Sequence, residues 1–600
     1  MTMADASAEK LGAADRGALF ATGGRAMVVF IWAAYAAIVA ATGFSGAIDR
    51  LSTDDAMRLV EVRDLLAGQG WFDLVQHRLN PPDGVTMHWS RVIDLPIAAL
   101  LAGFRLFFPD DVATRLTVTV WPLLLFLPAM LATASACRTL AGPSAAVIGA
   151  FMMVMSPGVA SRFQPAAIDH HGAQIALALI LLACALRLDR SLKAAVGAGV
   201  SAAAMMAIGM ETAPHVAACA GLIALRWAMT GDEGVARGAA VFGATFAAAT
   251  PLLAAATLPP SAFLSPVCDA LGIGHVAVAT VGGLGLAAAA RFAGEGRILR
   301  FAALAQVGAA VAVAVALTAP NCIASPYGAL PERLKTGWLD QVQEAQNIVA
   351  SAIYEPTASM AIGLPLAALI AVALWAVVSA PRDRRWPVLT AAGMCAASVA
   401  VTCWQIRGAS LAFALGGVLL PLAVLAIGRT GGRLRTAIAI AGLSPATLAL
   451  AGLGAAGAFG LPPIAERGPM SGMCSSADFR ALAAQAPRGL ALNTVDTGPA
   501  ILANSGLSVV SAPYHRNVDG LLAAIDAFGG SEETARAVAV SRRAAYVVVC
   551  TTDGGFTPYA KADADGFSAS LLSGRAPAWL EPIDLGPEAK VKAWRVLAGR

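Results

Sequence analysis

About thirteen apolar stretches, each close to the ~20 residues a helix needs to cross a bilayer, occupy most of the first 460 positions of this 600-residue chain. They lie near 26–47, 114–136, 143–160, 172–188, 193–209, 213–229, 237–258, 270–291, 301–318, 358–380, 387–404, 409–428 and 436–460. In lipid the backbone must satisfy its own hydrogen bonds, so runs of this length are read as helices and the set as a bundle. At 58% hydrophobic and 13% charged residues, the chain lies far from the ~45–50% apolar content of a soluble domain. The expected fold class is mostly α: a polytopic membrane helix bundle with a C-terminal soluble α/β domain.

Basic residues orient the bundle. Lys10, Arg16 and Arg25 precede the first run, which lacks a convincing cleavage site, so 1–25 reads as a cytoplasmic segment before an uncleaved helix. RLDRSLK, RWAMTGDEGVARG, RFAGEGRILR, APRDRRW and GRTGGRLR then all fall on the cytoplasmic side, as the positive-inside rule requires. Many spans are rich in Ala and Gly, which lets membrane helices approach closely.

The transmembrane part, 26–460, therefore carries two long outer loops, 48–113 and 319–357, and is followed by an outer tail, 461–600. In the tail, helical SSADFRALAAQA and VDGLLAAIDAFGG alternate with β-like GLALNTV, LSVVSAP, AAYVVVC and VKAWRVL, the pattern of a small α/β domain. There is no fixed-period repeat. The net charge of +4 comes without a Lys/Arg-rich tract, so nucleic acid is not an expected partner.

Of nine cysteines, Cys137, Cys184, Cys219, Cys395 and Cys403 sit in or beside apolar spans, where a thiol is a small packing residue. Cys474 and Cys550 share the outer tail, where a disulfide is one of two open readings. Cys268 and Cys322 also face outside, and nothing in the sequence pairs them. No Cys-x-x-Cys metal spacing occurs.

Ionisable groups at membrane ends are costly unless something uses them. Asp54 and Asp55, in STDDAMRLVEVRDLL, follow the first span, and Asp169-His170-His171, in PAAIDHHGAQ, stand at the mouth of the fourth. Each set reads either as a helix cap or as a cation site. Both lie at outer ends of spans, and carboxylate oxygens with imidazole nitrogens suit Mn²⁺ or Mg²⁺. Glu344, in QVQEAQ, lies in an outer loop long enough to swing over them.

These residues carry a resemblance. The span number, the N-inside orientation, the two large outer loops and the outer C-terminal domain resemble the catalytic subunit of oligosaccharyltransferase, within the GT-C class of polyprenyl-sugar-dependent glycosyltransferases. Locally, DDAMRLVEVRDLLAG resembles that family's first acidic motif, IDHHG its second, and VQEAQ the glutamate motif of its late loop. The resemblance implies metal-site or acceptor-orienting roles for Asp55, Asp169 and Glu344, with His171 as a further metal candidate. It also implies that Arg407, in CWQIRGAS, meets the phosphate of the donor. The family's Trp-Trp-Asp-Tyr-Gly string, which reads an Asn-x-Ser/Thr acceptor, occurs nowhere in this chain.

The chemistry so implied is metal-assisted transfer of a sugar or oligosaccharide from a polyprenyl-(pyro)phosphate donor, inverting the anomeric centre, at the periplasmic face of a bacterial inner membrane. Negative charge builds on the departing phosphate, where a divalent cation and the Arg407 guanidinium stabilise it. A carboxylate, Asp55 by preference, accepts a hydrogen bond or proton from the attacking group. Acceptors open to this chemistry are a glycan, a membrane lipid or a protein.

Other outer residues read two ways. His88, Trp89 and Arg91, in MHWSRVIDLP, suit a sugar site or interfacial anchors. Glu211, in GMETAPH, is a candidate donor or metal contact, whereas His215 reads as packing. Tyr514, His515 and Arg516, in SAPYHRN, recognise an acceptor or form an ordinary turn. A single-sugar transferase acting on lipid A, envelope glycan or protein hydroxyls is the runner-up. A transporter or flippase using Asp55, Asp169, His170 and Glu211 as an ion relay is the alternative from another class, though without internal repeats or mid-bilayer charges. A membrane scaffold would leave the acidic motifs unexplained.

Overall fold

A computed structural model of the protein describes residues 24–597 apart from 324–326, 329, 430–431, 464–473 and 553–555. The expected N-terminal cytoplasmic segment lies almost wholly outside the described residues. Each of the thirteen apolar stretches is helical. Seven are single helices long and apolar enough to cross a membrane, including α1 (Gly24–Gly43). Up to ten crossings result if three bent pairs each count as one. The bends, 72° after Val154, 40° after Gly417 and 56° after Leu443, fall next to Pro157, Pro421 and Pro445. A proline lacks the N–H that would continue the helix and its ring clashes with the preceding turn. His171–Ala185 and Leu192–Ile208 are shorter, at 15 and 17 residues. Ala213–Thr230 carries Arg226, which pairs with Asp189 at 2.6 Å.

Small residues set the helix spacing. A methyl group on Gly243 would stand 2.4 Å from the Gly283 carbonyl, so helices Glu233–Thr257 and Ile273–Phe292 approach backbone to backbone. The connections read as cytoplasmic touch one another: Arg226 meets Asp189, and Arg300 donates to the Ala228 carbonyl at 3.0 Å.

The long segments read as outer also meet one another. The first contains α2 (Thr53–Leu66), the antiparallel pair β1 (Val75–Gln76) and β2 (Val85–Thr86), and α3 (Arg91–Arg105), which leads into α4 (Asp110–Ala141). The C-terminal domain is a five-stranded sheet in the order β4-β3-β5-β7-β6: β3 (Leu490–Asn493), β4 (Ser508–Val509), β5 (Tyr546–Cys550), β6 (Leu580–Ile583) and β7 (Val591–Val596). Strands β4, β3 and β5 are parallel, and β7 and β6 run antiparallel to their neighbours. The first outer segment docks on its edge. Asn80 donates to the Val509 carbonyl (2.7 Å) and Val509 to that of Arg78 (2.9 Å). Arg78 and Arg63 cap the carbonyl end of helix Gly498–Asn504 through Leu502 and Ala503, where the helix dipole is negative. Met57, Val60, Leu79 and Met87 share one core with Phe479, Leu482, Val509 and Val548. The late outer segment joins the same side through Arg333, which pairs with Asp526.

Two disulfides form. Cys474–Cys550 closes the C-terminal domain, and Cys268–Cys322 links an outer connection to the late outer segment, a pairing the sequence did not suggest.

Candidate active site

Ser52 opens α2 with a capping box. Its hydroxyl accepts from the Asp55 N–H at 3.2 Å, and Asp55 Oδ2 accepts from the Ser52 N–H (3.2 Å) and hydroxyl (2.6 Å). The other oxygen, Oδ1, accepts from the N–H groups of Ile168 (2.7 Å) and Asp169 (2.8 Å). Asp55 is thus spent on structure, and its structural work brings the two acidic motifs together. Asp54, the preceding residue, is half-buried, and its carboxylate makes no hydrogen bond to another described residue. Burial, followed by the charges of Glu344, Asp169 and Asp55 against an opposing contribution from His170, pushes its carboxyl up to about 7. Those perturbing groups are the other candidate residues, so Asp54 faces the same space.

The second motif is anchored at the start of helix His171–Ala185. Asp169 Oδ1 accepts from the His171 N–H at 2.9 Å, and its Oδ2 lies 3.8 Å from His171 Nε2. His171 Nδ1 reaches Gln174 Oε1 at 3.3 Å. Gln174 Nε2 donates to Glu211 Oε2 at 2.9 Å, and His170 Nε2 lies 3.5 Å from Glu211 Oε1. Gly209 makes room, since a Cβ there would sit 2.4 Å from the Glu211 carboxylate. Burial alone would raise the Glu211 carboxyl, but the hydrogen bond and charge of His170, with His171 and Arg407, hold it well below the usual range. Burial likewise opposes ionisation of Asp169, and His171, His170 and Arg162 override it downward. Glu211 is therefore an ionised partner of His170 at the edge of the site.

Arg407 closes the arrangement from the outer end of helix Arg385–Trp404. It donates through Nε to Gln405 (3.1 Å) and through Nη2 to the Tyr327 hydroxyl (3.2 Å), and Nη1 stands 3.7 Å from Glu344. The late segment is held there by the Ile406 N–H, which donates to the Gln346 carbonyl at 2.9 Å. Two neutral partners and one long carboxylate contact leave the guanidinium available to an incoming anion.

The weaker sequence candidates form a neighbouring wall. The Tyr514 hydroxyl donates to the Thr53 carbonyl at 3.2 Å, and its ring meets Trp89 edge-on at 5.3 Å. His88 lies against His515 at 4.9 Å, and His515 and Arg516 both bind Asp269. Two expectations need correction. Trp89 is buried with the Arg58 guanidinium 4.5 Å over its ring, so it is not an open platform for a sugar. Arg91 is buried, bonded to Asp94 (3.0 Å) and to the carbonyls of Trp71 (3.3 Å) and Asp73, and faces no open site. Sequence reading passed over Asp269, a lone acid beside a cysteine in an otherwise uncharged connection, and Tyr327.

No protein-family profile and no curated protein sequence matches the chain. Solved structures do. The archaeal oligosaccharyltransferase AglB from Archaeoglobus fulgidus, in complex with an inhibitory peptide and a dolichol-phosphate, matches with a TM-score of 0.62 over 92% of this chain and 72% of that one, at 15% identity. The fold is that of an archaeal oligosaccharyltransferase. The same Archaeoglobus enzyme tethered to an acceptor peptide containing an NVT sequon matches at 0.62, with 16% identity over 95% of this chain and 74% of that one. Its complex with Zn and sulfate matches at 0.60, with 16% identity over 94% and 73%. At this identity the oligosaccharyltransferase likeness is one of fold.

Proposed function

We propose that the protein is a membrane glycosyltransferase that moves a sugar or oligosaccharide from a polyprenyl-phosphate or polyprenyl-pyrophosphate donor to an acceptor on the outer, periplasmic face of a bacterial inner membrane. The observation that carries this reading is the convergence of Asp54, Asp169, His171, Glu344 and Arg407 from four separate segments, in an oligosaccharyltransferase-like fold. The Archaeoglobus enzyme binds dolichol-phosphate, which supports a lipid-phosphate donor here.

Arg407 binds the donor phosphate, exchanging its long contact with Glu344 for charge-assisted hydrogen bonds. Its planar fork keeps that phosphate fixed while the anomeric bond breaks. Asp54 orients the attacking group of the acceptor and takes its proton. We assign this role to Asp54 in place of Asp55, whose oxygens are already occupied. Glu344, released from Arg407, turns toward the acceptor side. Attack from the face opposite the phosphate inverts the anomeric centre.

The residues present fit a divalent cation: among the described residues the Asp54 carboxylate has no competing hydrogen bond, and Asp169 Oδ2 and His171 Nε2 already face each other. When bound, Mn²⁺ or Mg²⁺ supplies Lewis-acid stabilisation of the departing phosphate.

The test is transfer of label from a panel of polyprenyl-linked sugars by the purified protein, with and without chelator. Turnover that needs a divalent ion and falls at least about 100-fold in folded Asp169→Asn supports the reading. Transfer from no donor, with Asp169→Asn binding divalent ions as the wild type does, favours the transporter.

A further inference from the structure

We infer that His88, Asp269 and His515 form a second divalent-metal site, of the Zn²⁺ class, which ties the C-terminal domain to two outer loops. It is separate from the candidate active site and does not depend on the transferase reading.

One candidate ligand atom from each residue lies within 4.8 Å of the other two, and the three side chains come from three distant segments of the chain. His515 Nε2 is already 2.6 Å from Asp269 Oδ2, and the two imidazole rings are 4.9 Å apart. Zinc bonds of roughly 2.0–2.2 Å place tetrahedral ligand atoms about 3.3–3.6 Å apart. Small side-chain rotations close the difference.

His88 provides an independent observation. Its Nδ1 is enclosed and has no hydrogen-bond partner among the described residues, a costly condition that a ligated ion in this cluster offers a reason to retain. Arg516 grips Asp269 from behind, Nε to Oδ2 at 2.7 Å and Nη2 to Oδ1 at 2.8 Å. Outer hydrogen bonds of this kind orient ligating carboxylates, and lone pairs remain on the side facing the imidazoles. The ion would replace the direct contact between His515 and Asp269.

Two imidazoles and one carboxylate suit Zn²⁺ better than Mg²⁺, and the half-buried cluster leaves a fourth position for water. The consequence reaches the active site, because the Tyr327 ring rests on His515 at 5.6 Å and its hydroxyl meets Arg407. Fixing His515 fixes the platform behind the phosphate-binding arginine.

The experiment strips the full-length protein with chelator and titrates it with Co²⁺ as an optical probe, with Zn²⁺ in competition. Wild type and Asp169→Asn should both show the visible absorption of a tetrahedral nitrogen and oxygen site. His88→Gln, which removes no hydrogen bond at Nδ1, should lose it and bind Zn²⁺ at least about 100-fold more weakly. His515→Gln should show the same loss, and Zn²⁺ should raise the melting temperature of the wild type and of Asp169→Asn but of neither His variant. Equal binding by wild type and both His variants, no Co²⁺ spectrum in the wild type, or a spectrum lost only in Asp169→Asn would overturn the inference.

Discussion

Four hydrogen bonds converge on the Asp55 carboxylate, two from Ser52 and two from the Ile168–Asp169 backbone. An amide at this position accepts through only one atom, so Asp55→Asn should cost about 1–3 kcal/mol. A thermal melt checks this, with a lowered midpoint expected. Arg407 answers to a different measurement. Arg407→Lys keeps the charge but loses the fork, and binding of polyprenyl phosphate should weaken about 10–100-fold, the ~1.5–3 kcal/mol of a charge-assisted bond. Unchanged binding would remove the arginine from the phosphate site. The sequence marked both acidic motifs, but two adjacent aspartates look alike along a chain. What separates them is Ser52, three residues before Asp55, the spacing of a capping box. That signal was present and pointed to Asp55 as the structural member. Asp269 was harder to see, because its partners His515 and Arg516 lie about 247 positions away.

At the scale of elements, α2 is fixed by a buried charge cluster as well as by its apolar residues. Arg58 is fully buried, 2.6 Å from Asp94 and 3.3 Å from Glu61, with Arg91 on the other side of Asp94. Removing one member strands the others in low dielectric, so Arg58→Ala should destabilise by about 3–5 kcal/mol, read as a fall in melting temperature. Burial first, then the charge of Asp94, pushes Glu61 up to about 8 against the pull of Arg58 and Arg91. A raised carboxyl binds its proton more tightly in the folded state. Its contribution is therefore complete below the ordinary carboxyl range and is lost as pH rises toward about 8. Melting temperatures across that window should fall less steeply in Glu61→Gln than in the wild type, and an identical slope would contradict the assignment. The helices themselves were legible because apolar length alone dictates them. Their bends were not, since a hydropathy window sums over Pro157, Pro421 and Pro445 without registering the hydrogen bonds they remove.

For the whole molecule, the outer segments and the C-terminal domain behave as one body built on a shared core and a borrowed sheet edge. The two disulfides reinforce it. Alkylation of the denatured, unreduced protein should modify only Cys137, Cys184, Cys219, Cys395 and Cys403. Labelling of Cys268 or Cys322 would disprove the link between the outer connection and the late segment. The alternation of charged connections was enough to place these segments on one side. Which loop touches which was not readable, because contacts such as Arg78 with Leu502 depend on packing across more than 400 residues. The most direct measurement is the initial rate of sugar transfer by Asp54→Asn and Asp55→Asn side by side, each normalised to folded protein. Asp54→Asn should melt like the wild type and lose about 10²–10⁴-fold in rate, whereas Asp55→Asn should melt lower yet retain more transfer per folded molecule. Wild-type turnover in Asp54→Asn would contradict the assignment of the working carboxylate and the site built around it.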